Sequence, residues 1–281
     1  MSFRKIKKIF RSKPTIEGAG VHLKRGFGYY EIPLFDPFLL FDDFHSADPD
    51  DYIAGFPWHP HRGIETVTYM LSGEVEHGDS LGNSGIIKAG ELQWMTAGSG
   101  IIHQEMPKTT KEPLWGFQLW VNLPAKSKMI KPTYRGIKDT DILAISLDNG
   151  VKVKVICGEF EGIIGPVKDL SVDCEYLDIM IPPKQIYAHN VKKEFNAFAY
   201  IIEGEGYLDN EKDELIGNEH IVLYESGEDI FIESGNVPLH ILLISGRPLK
   251  EPIAWGGPIV MNTDEELSIA FQEYQNGTFI K

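Results

Sequence analysis

Hydrophobic and polar positions alternate in short runs along most of the chain. In residues 63–70, Ile64, Thr66, Thr68 and Met70 fall on one side and Glu65, Val67 and Tyr69 on the other. That two-residue period is the signature of a strand. Residues 114–123 repeat it, with Trp115, Phe117, Leu119 and Val121 set against Gly116, Gln118, Trp120 and Asn122. Phe38-Leu39-Leu40-Phe41 reads as a short apolar strand after the restart at Asp36-Pro37. Residues 86–88, 91–95 and 101–105 are further strands, joined by Ala89-Gly90 and Ala97-Gly98-Ser99-Gly100. Many short strands between glycine turns predict an all-β barrel or sandwich.

The second half has the same texture, with strands expected at 151–157, 176–181, 197–202, 219–224, 229–233 and 239–244. Tyr200-Ile201-Ile202-Glu203-Gly204-Glu205-Gly206 echoes Tyr69-Met70-Leu71-Ser72-Gly73-Glu74-Val75, and Ser226-Gly227-Glu228 echoes Ala89-Gly90-Glu91. These echoes suggest an internal repeat. The basic stretch 126–138, with turn formers Pro132 and Gly136, reads as the crossing segment. The expected division falls near residue 140, giving domains 1–140 and 141–281. One helix is expected, in the tail of the second domain. Thr263 and Glu266 make a capping box, Leu267, Ala270, Phe271 and Tyr274 share a face, and Gly277 ends it.

Composition narrows the function classes. A hydrophobic share of 42% in 281 residues supports a sizeable core. The formal charge of -14 repels a nucleic-acid backbone and argues against direct nucleic-acid binding. The basic start, from Arg4 to Lys13, reads as a solvated strand, and the acidic stretch from Asp42 to Asp51 as a solvated loop. Cys157 and Cys174 have no partner at metal spacing and suit a reducing compartment. No run is long and apolar enough for a membrane helix, so a cytoplasmic protein is expected.

The candidate chemistry lies between Phe56 and Glu105. His59 and His61 stand at i and i+2, so on a strand both imidazoles face one side. His103 and Glu105 repeat that spacing on a later strand. Neighbouring strands lie about 4.8 Å apart, which lets two such pairs meet on one ion. Three imidazoles and a carboxylate suit one divalent metal: Fe(II), Mn, Ni, Cu or Zn. Glu65, four residues after His61, competes with Glu105 for the fourth position. Phe56, Trp58 and Trp94 are candidates to line an apolar pocket. His189, His220 and His240 are isolated, and a second metal site is not expected.

Asp36-Pro37-Phe38-Leu39-Leu40-Phe41-Asp42, the run Pro57 to Tyr69 containing His59-Pro60-His61-Arg62-Gly63, His77-Gly78-Asp79-Ser80-Leu81-Gly82-Asn83, and Trp94 through Glu105 together resemble the pirin family of the cupin superfamily. Gly256-Gly257-Pro258 with Met261-Asn262-Thr263 resembles its C-terminal signature. The resemblance implies two stacked β-barrels of the cupin type, with metal, usually iron, only in the N-terminal one. It implies His59, His61, His103 and Glu105 as ligands, and leaves Glu65 beside the site. It also implies one of two roles. The first is a quercetin 2,3-dioxygenase that opens a flavonol ring with dioxygen and releases carbon monoxide, with Glu105 as base. The second is a non-catalytic, iron-dependent redox sensor that binds a protein partner, a transcription factor or a metabolic enzyme; for such a partner the basic segments 5–13 and 126–135 are candidate contacts. A monomer is implied in either case.

Overall fold

The computed structural model describes residues 3–281 as two compact all-β units of cupin type and one short helix. One unit, which carries the predicted site, takes Lys13–Tyr30, Phe38–Asp139 and Leu249–Lys281. The other takes residues 3–12, Glu31–Pro37 and Thr140–Pro248.

This partition departs from a simple division at residue 140, because remote strand pairing exchanges the ends of the chain. Ile6–Arg11 pairs with His220–Tyr224. The capped helix Asp264–Gln275 packs on the hairpin of Ala254–Gly256 and Ile259–Met261, within the site-bearing unit. The basic stretch expected to cross between halves contains the strand Thr133–Ile137, which pairs with Leu92–Thr96.

Each unit is a seven-stranded antiparallel sheet facing a four-stranded one. In the site-bearing unit the larger sheet runs Thr133–Ile137, Leu92–Thr96, Ile64–Ser72, Leu114–Asn122, Phe38–Ser46, Val21–Phe27 and Lys13–Glu17. The smaller runs Phe56–His61, Ile101–Lys108, Glu74–Asp79 and Ser84–Lys88. The other unit repeats both orders, so the internal repeat is present as topology. Gly73 and Gly204, at φ 78° and 84°, turn equivalent hairpins. The second echo is out of register: Ser226-Gly227 follows His220–Tyr224, the place that Ala97–Gly100 holds in the site-bearing unit.

The acidic stretch is only partly a loop. The strand Phe38–Ser46 carries Asp42 and Asp43 into buried positions. Asp42 accepts from Arg25 Nε at 2.9 Å and Nη2 at 2.8 Å. Burial pushes its carboxyl up to about 6 against the pull of Arg25, so it is ionised at neutral pH.

The four-stranded sheet explains how a His-Pro-His motif can be strand. Phe56–His61 is an edge strand, where prolines 57 and 60 cost no shared ladder bond. The chain then leaves that sheet at Gly63, whose φ is 76°. A Cβ there would meet the Val260 carbonyl oxygen at 2.0 Å. Gly63→Ala is therefore expected to cost about 2–4 kcal/mol, because it meets both positive φ and a backbone clash. Urea unfolding of the variant measures the loss.

Candidate metal centre

The three predicted histidines converge. His59, His61 and His103 each offer a ring nitrogen, and these atoms lie within 4.8 Å of one another. The register accounts for it: His103 sits directly across from His59, and His61 follows His59 by one strand period. His59 Nδ1 is 2.9 Å from the Pro57 carbonyl and His61 Nδ1 is 3.1 Å from the Pro258 carbonyl. A carbonyl only accepts, so both Nδ1 atoms carry the proton and both Nε2 atoms present a lone pair. Those two Nε2 atoms stand 3.0 Å apart. A pair of lone pairs at that distance calls for a shared cation.

His103 makes the same point more sharply. It is wholly buried, and neither ring nitrogen has a hydrogen-bond partner. Leaving such a group unpaired costs on the order of 1–3 kcal/mol, which a bound metal would offset. Burial, then the neighbouring histidines, holds the imidazoles of His61 and His103 well below 6.5, hence neutral and able to ligate. The donor set therefore fits a divalent transition metal.

The same shifts set an acid limit. Both folded values lie below the unfolded value, so the stabilising contribution is complete above 6.5 and is lost as pH falls below it. The metal-free protein is expected to lose up to roughly 1.4 kcal/mol per pH unit for each of these groups in that window. Denaturant titrations across it measure the slope.

Glu105, the fourth expected residue, lies one period beyond His103 on Ile101–Lys108 and is buried. Its Oε1 accepts from Thr68 Oγ1 at 2.6 Å and Gln93 Nε2 at 3.3 Å, and its Oε2 from Gln118 Nε2 at 3.2 Å. Glu65 is placed elsewhere. The break at Gly63 carries it onto the larger sheet, where it accepts from Trp94 Nε1 at 3.0 Å and Thr96 Oγ1 at 2.6 Å.

A cavity of about 650 Å³ opens beside the histidines, lined by His59, His61, Glu105, Gln118, Trp120 and Trp255 among others. Of the three aromatics expected to line a pocket, Phe56 does so. A β-bulge between His103 and Glu105 in the pairing sets Phe56 opposite Glu105 and turns it inward. Trp58 is 53% exposed and Trp94 is fully buried against Glu65, and neither lines the cavity.

Sequence reasoning passed over Thr68, Gln93, Gln118, Trp120 and Trp255. The alternation in 114–123 does put Gln118 and Trp120 on one face, which was the available signal for two of them. His77 and Asp79 are also buried inside this barrel, across from Glu105 and His103, and His77 Nε2 is 3.1 Å from Asp79 Oδ2. In the other unit the equivalent edge strand, Ile186–Asn190, carries Tyr187 and His189 opposite Ile232 and Ile230. His189 there is bonded to Glu175 at 2.7 Å and Tyr187 at 3.3 Å.

Comparison with known proteins agrees with this architecture. The Pirin family model matches residues 20–121, and the model of the Pirin C-terminal cupin domain matches residues 176–280. A pirin-like protein of Caulobacter vibrioides is 41% identical over 280 residues, covering 99% of this chain and 100% of that protein. A Pseudomonas aeruginosa protein provisionally named quercetin 2,3-dioxygenase is 42% identical over 281 residues, covering 98% of each. The crystal structure of a quercetin 2,3-dioxygenase from Acinetobacter baumannii matches with a TM-score of 0.90 at 29% identity, covering 99% of each chain. The chain belongs to the pirin family.

Proposed function

We propose that the protein is a metal-dependent dioxygenase that opens the heterocycle of a flavonol such as quercetin, consuming dioxygen and releasing carbon monoxide. The observation that carries this reading is the open cavity that brings two of the clustered histidines, a buried carboxylate and aromatic walls onto one space. The named relatives support it. His59, His61 and His103 would hold the ion, and Glu105, which stands outside that cluster of three in the structure, is the expected fourth ligand. Fe(II) is the first choice, with Mn, Ni, Cu or Zn as alternatives.

The bound ion would supply a Lewis-acidic position for the substrate's ring oxygens. The protein's own groups do the rest. Phe56, Trp120 and Trp255 offer faces and edges against which a flat ring system can lie. Glu105 takes the proton of the flavonol 3-hydroxyl. Thr68, Gln93 and Gln118 hold that carboxylate in one orientation, so the proton transfer does not wait on a rotamer search. The apolar wall, including Leu23, Leu40 and Phe44, keeps bulk water from the deprotonated ring. Loss of flavonol absorbance in air by metal-loaded protein, with carbon monoxide released, tests the reading. No turnover with any of the five metals contradicts it.

A second reading, an iron-dependent redox sensor acting on a protein partner, draws on the aromatic rings that run from His61 to the surface. The flavonol assay separates the two.

A further inference from the structure

A file of aromatic rings leads from the candidate metal centre to solvent. The Trp120 indole stands edge-on to the His61 imidazole, with ring centroids 5.1 Å apart. Trp255 lies 5.8 Å from Trp120, Tyr29 lies 5.7 Å from Trp255, and Tyr30 lies 5.7 Å from Tyr29. Trp120 and Trp255 are half-buried, whereas Tyr29 is 57% and Tyr30 93% exposed. Core packing accounts for the stacked file Phe27, Phe41 and Phe117, which is buried throughout. It does not account for a ring as exposed as Tyr30.

The chemistry of the members is as selective as their placement. Every ring between His61 and solvent is tryptophan or tyrosine, the side chains that give up one electron most readily. No phenylalanine, which does not, interrupts the file. Neighbouring rings at these separations are within a short tunnelling step. The two indoles are also set to keep their protons. Trp120 Nε1 has no hydrogen-bond partner, and Trp255 Nε1 donates to the Gly257 carbonyl at 2.7 Å, a very weak base. An electron vacancy can therefore pass through them without being trapped as a neutral radical.

We propose that Tyr30, Tyr29, Trp255 and Trp120 form a one-electron relay between the protein surface and the three-histidine centre. The relay rests on that centre holding a redox-active metal such as iron, and on nothing in the flavonol chemistry. In the outward direction an oxidant at the surface takes one electron from Tyr30, which releases its phenolic proton to water. The vacancy passes by Tyr29, Trp255, Trp120 and His61 to the ion. A ferrous ion held by the three histidines would supply that electron, and Tyr30 regains its electron and a proton. The net charge of -14 favours a cationic redox partner. The relay gives the centre a way to pass an electron to an oxidant too large to enter the cavity.

The test uses tris(bipyridine)ruthenium as photo-oxidant, a bulky cation, with a cobalt(III) ammine as sacrificial acceptor. It is run without oxygen or flavonol on protein loaded with ferrous iron or with redox-silent zinc, loading being checked by metal analysis. Zinc-loaded protein is expected to accumulate oxidised Tyr30 by peptide mass spectrometry. Iron-loaded protein is expected to spare Tyr30 and develop a ferric paramagnetic resonance signal instead. Trp255→Phe keeps a ring in place but breaks the relay, so iron-loaded variant should oxidise Tyr30 as the zinc form does. Tyr29→Phe should do the same through a different position. Equal Tyr30 oxidation in the iron and zinc forms of the unaltered protein overturns the proposal, as does an unchanged ferric signal in both variants. The flavonol assay is independent of either result.

Discussion

Replacing His103 with leucine is expected to strip the centre of its metal and to reduce flavonol consumption to the background of metal-free protein. The same change is expected to make the metal-free protein more stable. Both effects follow from the surroundings of one ring. His103 is buried with two unpartnered nitrogens, so in the absence of metal it is an uncompensated polar group. Leucine removes that cost, worth on the order of 1–3 kcal/mol. With metal present the balance reverses. Loss of an outer partner of a ligand already weakens metal binding by about 10–100-fold, and loss of a ligand should exceed that. Thermal unfolding with and without added metal reads both signs in one experiment. A metal-free variant that unfolds earlier than the unaltered protein would show that His103 is a packed core group with partners of its own.

The second large effect is expected at Glu105. Glu105→Gln preserves size and leaves an oxygen to accept from Thr68, but removes the basic oxygen. Turnover is expected to fall by roughly 10²–10⁴-fold, the range for a positioned general base. Metal affinity is expected to fall far less, because three imidazoles remain. Steady-state rates at saturating flavonol, set beside metal titrations, separate the two. Retained turnover would remove Glu105 from the mechanism. Equal losses in affinity and rate would make it a ligand and nothing more.

Why some of this was legible in the sequence and some was not comes down to the range of each interaction. The i, i+2 spacing of His59 and His61 survives into three dimensions because a strand repeats every two residues. Phe56 belongs to the same strand, yet the bulge that turns it inward arises from pairing with 103–105 and leaves no mark at residue 56. Glu65 looked equivalent to Glu105 only if the alternation ran unbroken through Gly63. The positive φ at that glycine ends one strand and sends the next to a different sheet. Trp58 and Trp94 show the limit of residue type, since an indole suits a solvent-facing edge or a buried carboxylate clamp as well as a pocket. Asp42 read as part of a solvated loop because its partner, Arg25, lies seventeen residues away on a neighbouring strand. The exchange of the chain ends was out of reach for the same reason. Nothing local to Ile6–Arg11 marks pairing with residues beyond 219.

The most direct test of the account is a metal analysis of protein purified without added metal, coupled to aerobic incubation with quercetin and measurement of carbon monoxide. The account predicts one equivalent of a divalent transition metal per chain, lost in the His103→Leu variant, and one carbon monoxide released for each quercetin consumed. A metal-loaded protein that leaves quercetin intact, or consumes it without releasing carbon monoxide, would contradict it.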